Sequence, residues 1–184
     1  EQRFDGGDVL KRGVFVGRFQ PFHKGHLEFI KNIVKEVDEL VIVVGSSQYS
    51  HKFDNPFTAG ERVTMIRQAL AEAKIDLSRI WIVPVPDVHQ HALWVSQLVG
   101  YCPKFGVVYA NEPLTSRLFI ESGFEVKPMP FINRKEYSAT EMRQHWLEIL
   151  LYNEKLLTDI ANKLPDNKEF QAILTTLREQ IPPI

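Results

Sequence analysis

The segment "GRFQPFHKGH", residues 17–26, carries an arginine, two aromatic rings and two histidines just before a helical pattern begins. His23 and His26 lie on either side of Gly25. The N-terminus of a helix offers unpaired backbone N–H groups and a partial positive charge, and both favour phosphate. Two imidazole N–H groups and Arg18 would add donors, and a glycine permits close approach of a ligand to the backbone. The segment therefore predicts a polyphosphate-binding site.

From the residues alone, other interpretations of the two histidines stay open. They could form half of a zinc site, although no cysteine or acidic partner is obvious beside them. They could also be surface histidines, but the flanking Phe19, Pro21 and Phe22 favour a fixed loop. The common phosphate-binding loops are excluded, because Gly13 and Gly17 have the wrong spacing for either a Walker motif or G-x-G-x-x-G.

A second cationic element lies far along the chain, where Arg143 follows the hydroxyl residues Ser138 and Thr140. Ser138 and Glu141 fit the S/T-x-x-E capping box, which predicts a helix start here, as Thr58 and Glu61 do earlier. An arginine in the first turns of a helix opposes the helix dipole. Its placement is explained if an anion occupies that helix end, although a solvated arginine is the ordinary alternative.

The surrounding elements alternate between short apolar runs and helical patterns. Strands are predicted at residues 14–16, 40–44, 80–83, 107–109 and 124–126. Apolar spacing of three and four residues predicts helices around 27–34 and 63–70, with shorter ones at 91–101 and 114–121. This alternation predicts a doubly wound α/β fold with a parallel five-stranded, Rossmann-like sheet. We expect this domain to span 11–143, between an N-terminal extension at 1–10 and a C-terminal helical appendage at 144–184.

Composition excludes several other classes of protein. The 184 residues are 44% hydrophobic and 24% charged, which is typical of a globular protein. The net charge of −1 gives no basic field for a nucleic acid, so we expect no nucleic-acid partner. Cys102 stands alone, which excludes an internal disulfide framework and a multi-cysteine metal site. The longest apolar run, 40–44, is too short to cross a bilayer, and no signal-peptide core precedes it, so we expect a cytoplasmic protein without a membrane partner.

Several motifs together resemble one enzyme family. Residues 17–26 resemble the H-x-G-H signature of the nucleotidyltransferase superfamily, and "YSATEMR" at 137–143 resembles its second signature, S-x-T-x-x-R. The segments "NPFTAGER" at 55–62, "ALWV" at 92–95 and "NRKEYS" at 133–138 narrow the match. From Arg12 to Arg143 the chain is similar to archaeal-type nicotinamide mononucleotide (NMN) adenylyltransferases.

The resemblance implies adenylyl transfer from ATP to NMN, giving NAD and pyrophosphate, with Mg²⁺ carried mainly by ATP oxygens rather than by protein ligands. It also implies a homo-oligomer. The implied catalytic residues are His23, near the α-phosphate, His26 and Arg143, on the β- and γ-phosphates, and Arg18. The implied ATP-binding residues are Gly17, Arg18, Phe19, His23, Gly25, His26, Ala110, Asn111, Ser138, Thr140 and Arg143, with Ala110–Asn111 near the adenine. The implied acceptor-binding residues are Gly45, Ser46 and Ser47 for ribose and phosphate, and Asp87 and Trp94 for nicotinamide.

The chain departs from the family pattern at a few of these positions. Ala139 replaces the usual glycine of the second signature. After the fourth strand the family usually has Gly-Asn-Pro, whereas this chain has Asn111-Glu112-Pro113. His91 stands where the family favours asparagine, and His89 precedes it in an H-x-H pair that could bind metal or could be part of the pocket wall. These changes leave other acceptors open: nicotinate mononucleotide, FMN or phosphopantetheine. A non-catalytic nucleotide-binding module is a further alternative.

Overall fold

A computed structural model describes residues 10–128, together with residues 140, 143 and 144. The strands are β1 (Arg12–Gly17), β2 (Glu39–Val44), β3 (Ile80–Pro84), β4 (Val107–Tyr109) and β5 (Glu125–Lys127). The helices are α1 (Lys24–Ile33), α2 (Ala59–Glu72), α3 (His91–Tyr101) and α4 (Pro113–Glu121), with a 3-10 turn at Leu77–Arg79. These elements confirm the predicted alternation. The largest differences are at the helix starts, because α1 begins three residues and α2 four residues before the predicted ranges. Among the strands, β1 gains two residues at its start and β5 is displaced by one residue.

All five of these strands are parallel, in the order β3-β2-β1-β4-β5. The chain winds outward from β1 to β3 and then crosses back to place β4 on the other side of β1. This reversal is the switch point of a doubly wound sheet, where ligands bind beyond the carboxyl ends of the strands. The predicted fold class is therefore confirmed. The predicted N-terminal extension and C-terminal appendage lie outside the described residues, apart from residues 10 and 144.

Alternate residues of the strands build two apolar layers, one on each face of the sheet. Phe15 and Ile42 face α1 and α2, where Ile30 and Ile66 pack against them. The opposite face, which includes Val14, packs against α3 and α4. The interior strand β2 is buried along Leu40 to Val44, as its β-branched, apolar sequence predicts. None of the helices in the described part of the chain is long and apolar enough to span a membrane.

Two helix starts near the carboxyl edge of the sheet follow from local chemistry. The Thr58 hydroxyl accepts from the Glu61 N–H at 3.2 Å, and the Glu61 carboxylate accepts from the Thr58 N–H at 2.8 Å, so the predicted capping box is confirmed. Glu112 caps α4, with Pro113 in its first turn. The second predicted capping box, at Ser138 and Glu141, lies outside the described residues.

Candidate active site

His23 and His26 cap the N-terminus of α1 as a pair, which we call the histidine cap. His23 is the N-cap residue and His26 is the third helical residue. The His23 N–H donates to Nδ1 of His26 at 3.2 Å, and the His26 N–H donates to Nδ1 of His23 at 3.4 Å. This is a capping box built from two imidazoles. Because both Nδ1 atoms accept, each neutral ring carries its proton on Nε2, where it can be donated to a ligand.

The two rings are stacked and held neutral. Their centroids are 3.6 Å apart with an interplanar angle of 21°. Burial lowers the pKa of His23. Burial, with the charge of His23 acting in the same direction, lowers the pKa of His26 to about 3. Near neutral pH the histidine cap is therefore a pair of neutral N–H donors, and a bound polyphosphate would favour their charged forms.

The rings of two phenylalanines pack against His26 of the histidine cap. The ring of Phe22 stacks on His26 at 5.5 Å between centroids, and Phe19 meets the same ring edge-on at 4.9 Å. Phe19 has a left-handed backbone, with φ of 53°, and is only 2% exposed. Its ring lies over Gly17, where an added Cβ would stand 2.7 Å from Cζ of Phe19. Gly17 therefore has no side chain because the phenyl ring occupies that space.

The structure brings Arg143 to this turn from more than a hundred residues away. It is 6% exposed, and its guanidinium donates to the main-chain oxygen of Gln20 and, at 3.3 Å, to Oγ1 of Thr140. Burial and then the charge of Arg18 lower the pKa of Arg143, while Asp54 opposes them. Thr140, Arg143 and the histidine-cap turn thus form one neighbourhood. Ser138 lies outside the described residues.

A cleft of about 450 Å³ opens at the carboxyl edge of the sheet, on the side covered by α3 and α4. Of the predicted site residues, it is lined by Gly17, Arg18, Gly45, Ser46, Asp87 and Trp94. His91 and Glu112 line it as well. The lining does not include Ser47, Ala110 or Asn111, nor His23 and His26, which lie at the start of α1. Arg18 connects the two regions, because it lines the cleft and its charge also acts on Arg143.

Asp87 is held at the cleft by two neighbours on the loop after β2. Its Oδ1 accepts from the Ser46 N–H at 3.2 Å, and Ser46 has a left-handed backbone with φ of 49°. The side chain of Gln48 pairs with the backbone of Asp87, accepting at 2.9 Å and donating at 3.2 Å. Oδ2 of Asp87 has no hydrogen bond from the described residues, so it can accept from a ligand. Trp94 is half-buried and meets Phe119 edge-on at 5.5 Å.

The carboxylate of Glu112 is bound by its own helix rather than presented to the cleft as a bare charge. Oε1 accepts from the Leu114 N–H at 3.1 Å and Oε2 from the Thr115 N–H at 2.6 Å. Burial alone would raise the pKa of Glu112, but the hydrogen bonds from Thr115 and Leu114 outweigh burial and lower it. The negative charge is offset by the positive end of α4.

Arg62, in "NPFTAGER", is a residue that sequence reasoning did not assign. Its side chain is fully buried, at 0% exposure, and donates to backbone carbonyls of the loops after β1 and β2. Gln20 makes a similar connection, because its side-chain amide donates to and accepts from the backbone of Phe57, both at 2.9 Å. The T-x-x-E-R order marks the helix start, but no local signal distinguishes a buried arginine from an exposed one.

Comparison with known proteins gives one family match and many close relatives. The model of the cytidylyltransferase-like family matches residues 14–145. The nicotinamide-nucleotide adenylyltransferase of Saccharolobus solfataricus is 48% identical over 147 residues, covering 77% of this chain and 86% of that protein. The enzyme of the same name from Archaeoglobus fulgidus is 49% identical over 140 residues, covering 74% of this chain and 80% of that protein.

Solved structures agree with these relatives. A bifunctional NMN adenylyltransferase/ADP ribose pyrophosphatase from Francisella tularensis superposes with a TM-score of 0.66 at 25% identity. The match covers 91% of this chain and 53% of that protein, so this chain spans about half its length. A second structure of that enzyme, complexed with AMP and a manganese ion, matches with a TM-score of 0.60 at 25% identity, covering 91% of this chain and 52% of that protein.

Proposed function

The chain belongs to the cytidylyltransferase-like family, and from this membership we propose that it transfers the adenylyl group of ATP to NMN, giving NAD and pyrophosphate. The relatives that are 48% and 49% identical to it over the aligned residues carry the name of that activity. The structural observation that carries the proposal is the position of the histidine cap next to the cleft, with Arg18 between them. One region offers donors for a triphosphate, and the other offers an aromatic ring and a carboxylate for an acceptor.

We propose that the triphosphate of ATP binds against the histidine cap and Arg143. The Nε2–H groups of His23 and His26 would donate to phosphate oxygens at the N-terminus of α1, where the helix dipole also favours anions. Arg143 is already oriented by Gln20 and Thr140, so binding costs it little conformational entropy. Arg18 would contribute its charge from the cleft side.

A divalent cation fits this arrangement if ATP carries it. Among the described residues, no group of three or more His, Cys, Asp or Glu side chains could hold a metal ion. Mg²⁺ with nucleotides is held largely by phosphate oxygens and water, so a protein cage is not required. When bound, the ion would offset negative charge on the triphosphate.

We propose that the nicotinamide ring of the acceptor stacks on Trp94, with its carboxamide donating to Oδ2 of Asp87. The N–H of Ser46 occupies only the other carboxylate oxygen. The loop of Gly45, Ser46 and Ser47 would face the ribose and phosphate. This places the acceptor in the cleft and the triphosphate at its edge.

The chemistry requires positioning rather than a protein nucleophile. An oxygen of the NMN phosphate, already ionised at neutral pH, attacks the α-phosphorus of ATP. The bond from that phosphorus to the bridging oxygen breaks, and pyrophosphate leaves with the electron pair. The protein must hold the two phosphates in line and offset the charge that develops on pyrophosphate. Neutral histidine donors, Arg18 and Arg143 are suited to both tasks.

One alternative acceptor is supported by a specific residue. His91 lines the cleft with Asp87 and Trp94, and an imidazole N–H there can donate a hydrogen bond to the carboxylate of nicotinate mononucleotide. The test is incubation of the purified protein with ATP, Mg²⁺ and each of four acceptors: NMN, nicotinate mononucleotide, FMN and phosphopantetheine. Pyrophosphate release and the adenylylated product are measured by chromatography. We expect NAD from NMN. Turnover of another acceptor only would refute the acceptor assignment, and turnover of none would refute transferase activity.

A further inference from the structure

Arg62 connects three segments whose relative positions must be fixed for the proposed reaction. It projects from the first turns of α2, and its Nη1 donates to the carbonyls of Arg18 and Gly45, each at 2.8 Å. Nη2 donates to the carbonyl of Ser46 and Nε to that of Thr58, each at 3.2 Å. One rigid, planar group therefore fixes the ends of β1 and β2 relative to the start of α2.

The two loop ends that Arg62 joins face different substrates under the proposed function. Arg18, just after β1, is proposed to contribute to binding the triphosphate. Ser46, in the loop after β2, is proposed to face the acceptor. Ser46 is itself held between two groups, because its carbonyl accepts from Arg62 while its N–H donates to Asp87. A hydrogen-bonded path thus runs from Arg62 through the Gly45–Ser46 peptide group, whose carbonyl accepts from Arg62 and whose N–H donates to the carboxylate proposed to recognise the nicotinamide.

The buried guanidinium of Arg62 depends on backbone carbonyls as its hydrogen-bond partners. Among residues 10–128, no carboxylate forms a salt bridge with Arg62, and the hydrogen bonds of its guanidinium there all go to main-chain oxygens. A buried charge of this kind is costly unless its donors are satisfied, so the geometry of the carbonyls and that of the arginine are interdependent. A lysine keeps the charge but cannot reach the same carbonyls in one plane.

We propose that Arg62 is a positioning residue that sets the spacing between the ATP-binding loop at Arg18 and the acceptor-binding loop at Gly45–Ser46. The proposal rests on the proposed adenylyl transfer. It differs from a purely structural role because it concerns the alignment of two substrates, not the folding of either loop. Each loop has further anchors of its own, such as the Gln20–Phe57 pair and the Gln48–Asp87 pair, so each substrate should still bind alone.

The chain offers a matched control in Arg79. This arginine also donates to three main-chain carbonyls, those of Val34, Val37 and Asp38, but at the amino-terminal side of the sheet. Arg62→Lys and Arg79→Lys therefore remove the same kind of guanidinium–carbonyl contact, one near the site and one remote from it. The stability of both variants, the Kd of each for ATP alone and for NMN alone, and the kcat at saturation are measured beside the wild type.

We expect both lysine variants to lose stability, but only Arg62→Lys to lose turnover. Because a misplacement of about 1 Å can cost about 10²-fold in rate, kcat should fall by about that factor while each Kd changes by only about a few-fold. An Arg62→Lys protein with wild-type kcat would overturn the proposal, as would an equal loss of kcat in Arg79→Lys. If Arg62→Lys does not fold, Arg62→Gln replaces it, and failure of both to fold would identify a core contact and overturn the proposal. A wild-type protein that forms no NAD would instead refute the proposed function.

Discussion

Gly17 offers a sharp test of the link between packing under the site and turnover. In Gly17→Ala the new methyl carbon would stand 2.7, 2.8 and 3.2 Å from three ring carbons of Phe19. Carbon atoms in ordinary contact lie about 3.5–4.0 Å apart, so the ring must retreat by about 1 Å. It has little room, because Phe19 is 2% exposed and the rings of Phe15, Phe22 and His26 surround it, with centroids at 5.6, 5.8 and 4.9 Å.

The expected magnitude follows from overpacking in a full core. A methyl group forced into such a site typically costs about 1–3 kcal/mol of unfolding free energy. Displacement of Phe19 toward His26 would shift the imidazole that we propose to hold the triphosphate. A shift approaching 1 Å predicts a fall in kcat of about 10- to 100-fold, in addition to the loss of stability.

Gly13→Ala is the matched control, because it makes a similar clash at the other end of the same strand. There the added carbon would stand 2.9 Å from Cε2 of Tyr109 and 3.1 Å from Cγ1 of Val37. Denaturant unfolding and kcat are measured for both variants at a temperature where both are folded. We expect comparable destabilisation but loss of turnover only in Gly17→Ala. A fully folded Gly17→Ala with wild-type kcat, or an equal loss in Gly13→Ala, would refute this reasoning.

Three further predictions concern the histidine cap and the acceptor. His26→Ala should lower pyrophosphate release by about 10²–10³-fold at saturating substrates, and a folded variant with near wild-type turnover would remove His26 from the mechanism. Burial lowers the pKa of His26 to about 3 in the folded protein, whereas its ordinary pKa is about 6.5. Below about pH 6.5 the unfolded chain therefore binds a proton that the folded protein does not, so the free energy of unfolding should fall by up to about 2 kcal/mol between about pH 7 and about pH 5. In His26→Asn, the free energy of unfolding from denaturant curves should depend less on pH over that range. NMN should outcompete nicotinate mononucleotide, because a carboxamide can donate to Asp87 whereas a carboxylate cannot and is repelled by it; a preference for the acid in a direct competition would contradict the role of Asp87.

The fold was predictable because its signals are local and repeated. The apolar run at 40–44 and the helical spacings beside it each encode one element, and their alternation leaves few topologies. The Thr58–Glu61 capping box was equally readable. The spacing of His23 and His26 indicated an anion-binding turn, yet the same spacing is that of an N-cap and third helical residue. Imidazoles replacing the usual hydroxyl and carboxylate could have indicated the reciprocal cap.

The rest of the site could not be predicted because it depends on side chains that bind distant backbone. Arg62 and Gln20 belong to residue types that are normally exposed, and nothing near them in sequence indicates burial. Their partners are carbonyl and N–H groups, which every residue has. Glu112 illustrates the reverse: it is a charge that looks out of place beside a nucleotide pocket, but the helix it caps neutralises its effect.

The attachment of Asp87 also bears on how this protein family can change its substrates over evolution. The loop that follows β3 is tied to the rest of the molecule by contacts of Ser46 and Gln48 with Asp87, whereas His89, Gln90 and His91 beyond it are exposed. Substitutions at exposed positions usually change stability by no more than about 0.5 kcal/mol. Substitutions at these positions can therefore change the contacts with an acceptor without disturbing the buried contacts beside the histidine cap. His89, in this loop, and His91, at the start of α3, are such exposed positions, and a change of side chain there can alter specificity at little cost in stability.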